Sequence, residues 1–194
     1  MSIVGILYNV QLLKYAGVNG VAAYGVLMYV NMIFLSVYLG YSVGVSPIIS
    51  YHYGAQNNNE LKGVLKKSVF IMSFFSLILF AAVQLLAKPM SILFVGYDNE
   101  LMELTQRGFF IYAFSFLFSG VGIFGSSFFT AMNDGLVSAS IAFMRTIIFQ
   151  VISVLVFPLF WGVDGVWLSV VLAEAMALLA VVVFFAANRK KYHY

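Results

Sequence analysis

Apolar residues in this chain come in long runs, and each run stops at a short cluster of polar or turn-forming residues. An uncharged run of about twenty residues is long enough to cross a bilayer as a helix. The pattern predicts helices at approximately 1–14, 21–53, 68–87, 108–133, 136–161 and 166–187. The first is short. It carries Asn9 and Gln11 and gives out at Lys14, so it reads as the later part of a helix whose start precedes Met1. The second is too long for one crossing. Within it Gly40 and Gly44 form a G-x-x-x-G spacing, and Pro47 removes a helical hydrogen bond one turn later, which predicts a helix kinked or loosened there. Packing alone is the other reading of those glycines. Gly17, Asn19 and Gly20 predict a tight turn, as do Asn133-Asp134-Gly135 and Gly162 to Gly165. Pro89 to Arg107 mixes apolar residues with Asp98, Glu100 and Glu103, and predicts a short amphipathic helix on the interface.

The fold class that follows is all-α and integral to a membrane, with about five full crossings and a partial first one. Composition agrees: 63% of residues are hydrophobic and 9% charged, and the mean hydropathy is +1.00. A soluble domain carries far more charge. The net charge of +3 comes from basic residues in short clusters between apolar runs, which is the positive-inside arrangement and not a groove for nucleic acid. Lys62, Lys66 and Lys67 place the loop 54–67 in the cytoplasm, and Arg189, Lys190 and Lys191 place the carboxy terminus there. The acidic 98–103 stretch then faces outward. No cysteine is present, so disulfides and thiolate metal sites are excluded. His52 and His193 sit near helix ends, His52 between two tyrosines as an interfacial anchor. No catalytic triad, zinc motif or phosphate loop occurs, so neither an enzyme nor a cofactor is expected.

Chemistry inside the bilayer rests on a few polar residues. Glu174 is the one acid within an apolar run, at a depth near the bilayer middle where a carboxylate costs at least ~2.5–3.5 kcal/mol. It must be protonated, paired or facing water. Two roles fit it: an acid that takes up a proton during transport, or one held for good in a hydrogen bond to a neighbouring helix. Counting 1.5 Å per residue, Asn31 and Gln150 fall at a similar depth. Arg145 comes out deeper, which argues against a direct pair with Glu174 and favours snorkelling of the arginine to lipid phosphate. The 108–133 segment alternates aromatic rings with small residues. Tyr112, Phe116 and Ser119 on it are candidates to line a pathway for flat amphipathic molecules, and packing is the alternative for each.

The stretch around the first polar loop also resembles a known family. Gly44, Ser46, Pro47, Ser50, Gly54 and Ala55, followed by Asn57, Leu61 and Lys62, resemble the loop after the eighth helix of MATE-type multidrug efflux transporters of the MOP flippase superfamily. The resemblance extends from Ala23-Tyr24-Gly25 to Gly162 and Trp167. It implies one lobe, the carboxy-terminal one, of a twelve-helix two-lobe secondary transporter in the plasma membrane. Such a protein exports drugs or other amphipathic compounds against a coupling cation, H+ or Na+. Its partners would be a small-molecule substrate, membrane lipid, and an amino-terminal lobe of the same chain or a second subunit. Sodium-coupled members carry an acid in the helix matching residues 108 to 133, and this sequence has none there. A lipid-linked oligosaccharide flippase of the same superfamily and a non-transporting membrane subunit are the alternatives.

Overall fold

The computed structural model describes residues 3–192. They form five long helices: α1 (Ile3–Gly54), α2 (Asn58–Val95), α3 (Asn99–Ala131), α4 (Gly135–Val156) and α5 (Pro158–Tyr192). Each is long and apolar enough to span a membrane. Helices are the natural solution, because in hydrocarbon every backbone N–H and C=O must find its partner within the segment.

Two of the five bend at a glycine. Gly17 (φ 62°, ψ −152°) divides α1 into arms 3–16 and 18–54, and Gly162 (φ 55°, ψ −128°) turns the chain near the start of α5. Both lie in the left-handed region, where a side chain costs energy and glycine does not. The turn expected around residue 17 is thus a corner built on Gly17. The expected break at Gly40, Gly44 and Pro47 is not where α1 departs from helical geometry. Its backbone is helical throughout 18–54, and a Cβ on either glycine would meet nothing within 4 Å. Within this chain those glycines therefore admit no close neighbour.

Two other boundaries move. Asn57 caps α2, its side chain accepting from the Glu60 amide at 3.3 Å, so α2 already includes Lys62, Lys66 and Lys67. The helix then continues through Lys88 and Pro89 to Val95. Asp98 caps α3 by accepting from the Leu101 amide at 3.1 Å. No separate interfacial helix forms over 89–107, because the apolar residues 90–95 extend α2 and the acidic ones open α3. Charged residues near a helix end hold their heads in water while their stems follow the helix, so they do not stop it.

The five helices run alternately up and down. One end of the bundle carries Gly17, the loop 96–98 and the corner 157–162. The other carries the loops 55–57 and 132–134 and the end of α5, and with them six of the ten basic residues: Lys62, Lys66, Lys67, Arg189, Lys190 and Lys191. We call this the lysine end. Helix α3 forms the core: 67% of its apolar window is buried, against 28% or less in the others, and it packs on α1, α2, α4 and α5. Small residues make that possible. Gly120 faces Tyr38 and Ser76, and Gly125 faces Val181. Phe109, Phe116, Phe124, Phe128 and Phe129 are fully buried around them, so the aromatic rings of α3 are mostly core.

At the lysine end Asp134 caps α4 through the Val137 amide (3.2 Å), accepts from Lys191 Nζ at 2.9 Å and from the Tyr192 hydroxyl. These donors, Tyr192 foremost, hold its carboxyl down at about 2. A depressed carboxyl pKa stabilises above the usual carboxyl range and loses that contribution as pH falls through its folded value. Asp134→Asn keeps the cap and removes the charge. It is expected to lower the thermal midpoint modestly at neutral pH, with the difference from the parent shrinking as pH falls from about 4 toward 2. A difference independent of pH would show that charge is not what Asp134 contributes.

Candidate functional site

Near mid-depth the helices part around a cavity of about 330 Å³. The first arm of α1 contributes Val4, Gly5 and Tyr8, and the second Tyr24, Met28, Asn31 and Leu35. Tyr112, Ser115 and Ser119 come from α3, Arg145, Thr146 and Gln150 from α4, and Val170 and Glu174 from α5. Ten of the fifteen lining residues carry a hydroxyl, amide or charged group, unusual company for the middle of a bilayer.

At its centre is an ion pair. Arg145 Nε donates to Glu174 Oε2 at 2.9 Å, with the two side chains only 17% and 7% exposed. The sequence-based depth count argued against this pair, and it is corrected by where the corner lies. The chain turns at 157–162 rather than 162–165: the Phe160 and Trp161 amides both donate to the Phe157 carbonyl, and Gly165 is already inside α5, packed against that carbonyl. Arg145 therefore lies about 12 residues before the corner and Glu174 about 12 after it, each roughly 18 Å deep at 1.5 Å per residue. A π-helical turn at Met144–Ile148 surrounds the arginine; such turns recur at functional positions in helices. Opposite it Gly122 lies near Arg145 Nε, a Cβ there standing 3.8 Å away. Arg145 does not snorkel to the surface, because its counter-charge is at its own depth.

The remaining polar groups line the same cavity. The Tyr8 hydroxyl donates to Gln150 Oε1 at 2.6 Å, and the Tyr8 ring stacks on Tyr24 with centroids 5.5 Å apart. Tyr24 in turn lies over Trp167. Ser119 donates to the Ser115 carbonyl at 2.9 Å. Counted from their own corners, Gly5, Asn31 and Tyr112 also fall at about 12–14 residues, or roughly 18–21 Å. A second cavity of about 210 Å³ lies on the other side of Arg145 and Thr146, lined by Gly122, Ser126 and Ser127 among others. Arg145 thus lines both spaces, and Glu174 the first.

Of the residues singled out from sequence, Glu174, Asn31, Gln150, Tyr112 and Ser119 line one cavity. Phe116 does not. It is buried behind the wall, edge-on to Phe34 and Tyr112. Gly40, Gly44 and Pro47 lie elsewhere. Sequence reasoning left out Tyr8 and Tyr24 and sent Arg145 toward lipid, whereas a count from Phe157 puts Arg145 at the depth of Glu174. His52 lies near the end of α1 against Tyr51, and His193 lies outside the described residues. No group of three or more His, Cys, Asp or Glu that could hold a metal occurs among the described residues.

These features define an all-helical integral membrane protein with a polar cavity inside the bilayer. The chain belongs to the MatE family, whose model matches residues 1–156. Its fold is shared by several solved transporters. A Vibrio cholerae MATE transporter, VcmN, in its bent form superposes with a TM-score of 0.88 at 17% identity, over 97% of this chain and 43% of that one. A MOP superfamily transporter from Pyrococcus furiosus gives 0.87 at 22% identity, over 100% and 43%. An outward-facing multidrug resistance MATE transporter gives 0.87 at 21% identity, over 98% and 42%. The chain therefore spans less than half the length of the structures it matches. Comparison with curated protein sequences gives no match.

Proposed function

We propose that this chain is one lobe of a cation-coupled secondary transporter that exports drugs or other amphipathic organic compounds. The observation that carries the proposal is the buried Arg145–Glu174 pair in the wall of a mid-depth cavity, with Arg145 also lining a second space. A buried ion pair contributes little to stability compared with apolar packing, and ionisable groups inside a membrane mark pathways and proton relays. A second lobe, in the same chain or in a partner, completes the central cavity and rocks against this one to alternate access. The lysine end faces the cytoplasm of a plasma-membrane protein, by the positive-inside rule.

In this reading Glu174 carries the coupling proton. When it is ionised, Arg145 holds it closed. When it accepts a proton the charge on the pair is no longer balanced, the Arg145 guanidinium is freed toward the cavity, and the walls rearrange around a new partner. A proton fits better than sodium, since α3 offers no carboxylate to the site. A flippase for pyrophosphate-linked sugars would need several cations facing the cavity, and among the described residues Arg145 is the single one lining it.

The test is transport by the native polypeptide in energised vesicles. Glu174→Gln is expected to abolish proton-driven efflux and flatten its dependence on pH between mildly acidic and mildly alkaline conditions. Wild-type efflux with an unchanged pH profile in this variant would remove Glu174 from the coupling step.

A further inference from the structure

At the lysine end α2 and α5 separate and leave a groove of about 500 Å³. Its floor is apolar, with Leu65 and Val69 from α2 and Val182 and Phe185 from α5. Its rim is basic, with Lys62, Lys66 and Arg189. None of the three makes an ion pair among the described residues; the pairs there join Arg107 to Asp164, Arg145 to Glu174 and Lys191 to Asp134. Lys62 and Lys66 stand one turn apart on the same face of α2, where like charges repel each other. The nearest acid in sequence, Glu60, is two residues from Lys62 and so on a different side of the helix. The chain thus gathers three uncompensated cations around the mouth of an apolar slot that opens to lipid.

We propose that this groove binds an anionic glycerophospholipid of the surrounding bilayer. The headgroup phosphate sits between Lys62, Lys66 and Arg189, and an acyl chain lies along Val69, Val182 and Ala186. The two halves of the groove match the two halves of such a lipid: long basic side chains reach the headgroup level while their stems cover apolar surface, and the floor continues the hydrocarbon region. Free phosphate satisfies the rim alone and gains nothing from the floor. The proposal does not depend on what the cavity around Glu174 does.

The test uses the purified chain in lipid nanodiscs, with the association of spin-labelled phosphatidylglycerol measured against spin-labelled phosphatidylcholine. Each rim cation removed is expected to lower the preference for phosphatidylglycerol by about fivefold, the equivalent of one basic residue at an anionic surface. Lys62→Gln with Arg189→Gln is therefore compared with Lys67→Gln with Lys190→Gln, an equal loss of charge just outside the groove, which is expected to leave the preference intact. Ala186→Phe fills the floor without touching charge and is expected to reduce retention of the lipid as well. Equal losses in the two charge variants would mean a diffuse surface effect, and displacement of the lipid by millimolar inorganic phosphate would mean a soluble-anion site. Either result overturns the proposal. All five positions are exposed, so the variants are expected to fold, and unchanged thermal midpoints would check this.

Discussion

Removing one partner of the Arg145–Glu174 pair is expected to cost about 3–5 kcal/mol of stability, and removing both together less than either alone. The reason is the site of the pair. Arg145→Met leaves an ionised carboxylate, or forces it to take a proton, in a wall that is 7% exposed at Glu174. Glu174→Leu leaves a guanidinium at mid-depth without a counter-charge. The double variant Arg145→Met/Glu174→Leu removes both desolvation penalties and fills the space with apolar volume. A double-mutant cycle measured by steric trapping in bicelles gives the coupling directly. Losses that simply add in the double variant would show that the two groups do not depend on each other.

The second large effect is expected at Gly125. A Cβ there would stand 2.3 Å from Val181 Cγ1, and Val181 is fully buried, so one of the two helices must move. Gly125→Ala is expected to cost about 1–3 kcal/mol by overpacking. Within a bilayer, lipid tails are as apolar as any side chain, so helix association rests on close packing, and the α3–α5 contact has no hydrophobic driving force in reserve. Val181→Ala, placed in the same chain, opens the space again and is expected to restore most of the loss. Failure of that rescue, with the single variant destabilised, would locate the strain in the α3 backbone instead of the helix contact.

Much of the architecture was legible in the sequence because bilayer thickness sets helix length and polar loops punctuate the apolar runs. The caps Asn57, Asp98 and Asp134 are visible as letters, and so is the acid at position 174. Where the reading went astray, the cause was local geometry. Lys88 and Pro89 look like an end of α2, yet a proline near the last turns costs little when lipid and water meet there. Pro47 looks like a break, but α1 carries through it. The largest miss, the Arg145–Glu174 pair, came from placing a corner at Gly162 to Gly165 when Phe157 already begins it. A shift of a few residues in one corner changes the inferred depth of a whole helix. Tyr8 and Tyr24 were passed over because tyrosine is ordinary at membrane interfaces, and only the count from Gly17 puts Tyr8 far below one. The core role of the α3 phenylalanines was equally hidden, since a ring facing a cavity and a ring facing a neighbour have the same spelling.

The depth of the pair has an electrical consequence. At roughly 18 Å from its corner, in a hydrocarbon slab of about 30 Å, Glu174 lies near the middle of the transmembrane field. A charge reaching it from either side crosses roughly half of the membrane potential, worth about 1 kcal/mol per 100 mV. Any charge loaded and unloaded at that carboxylate would then feel the voltage in both steps, in nearly equal shares.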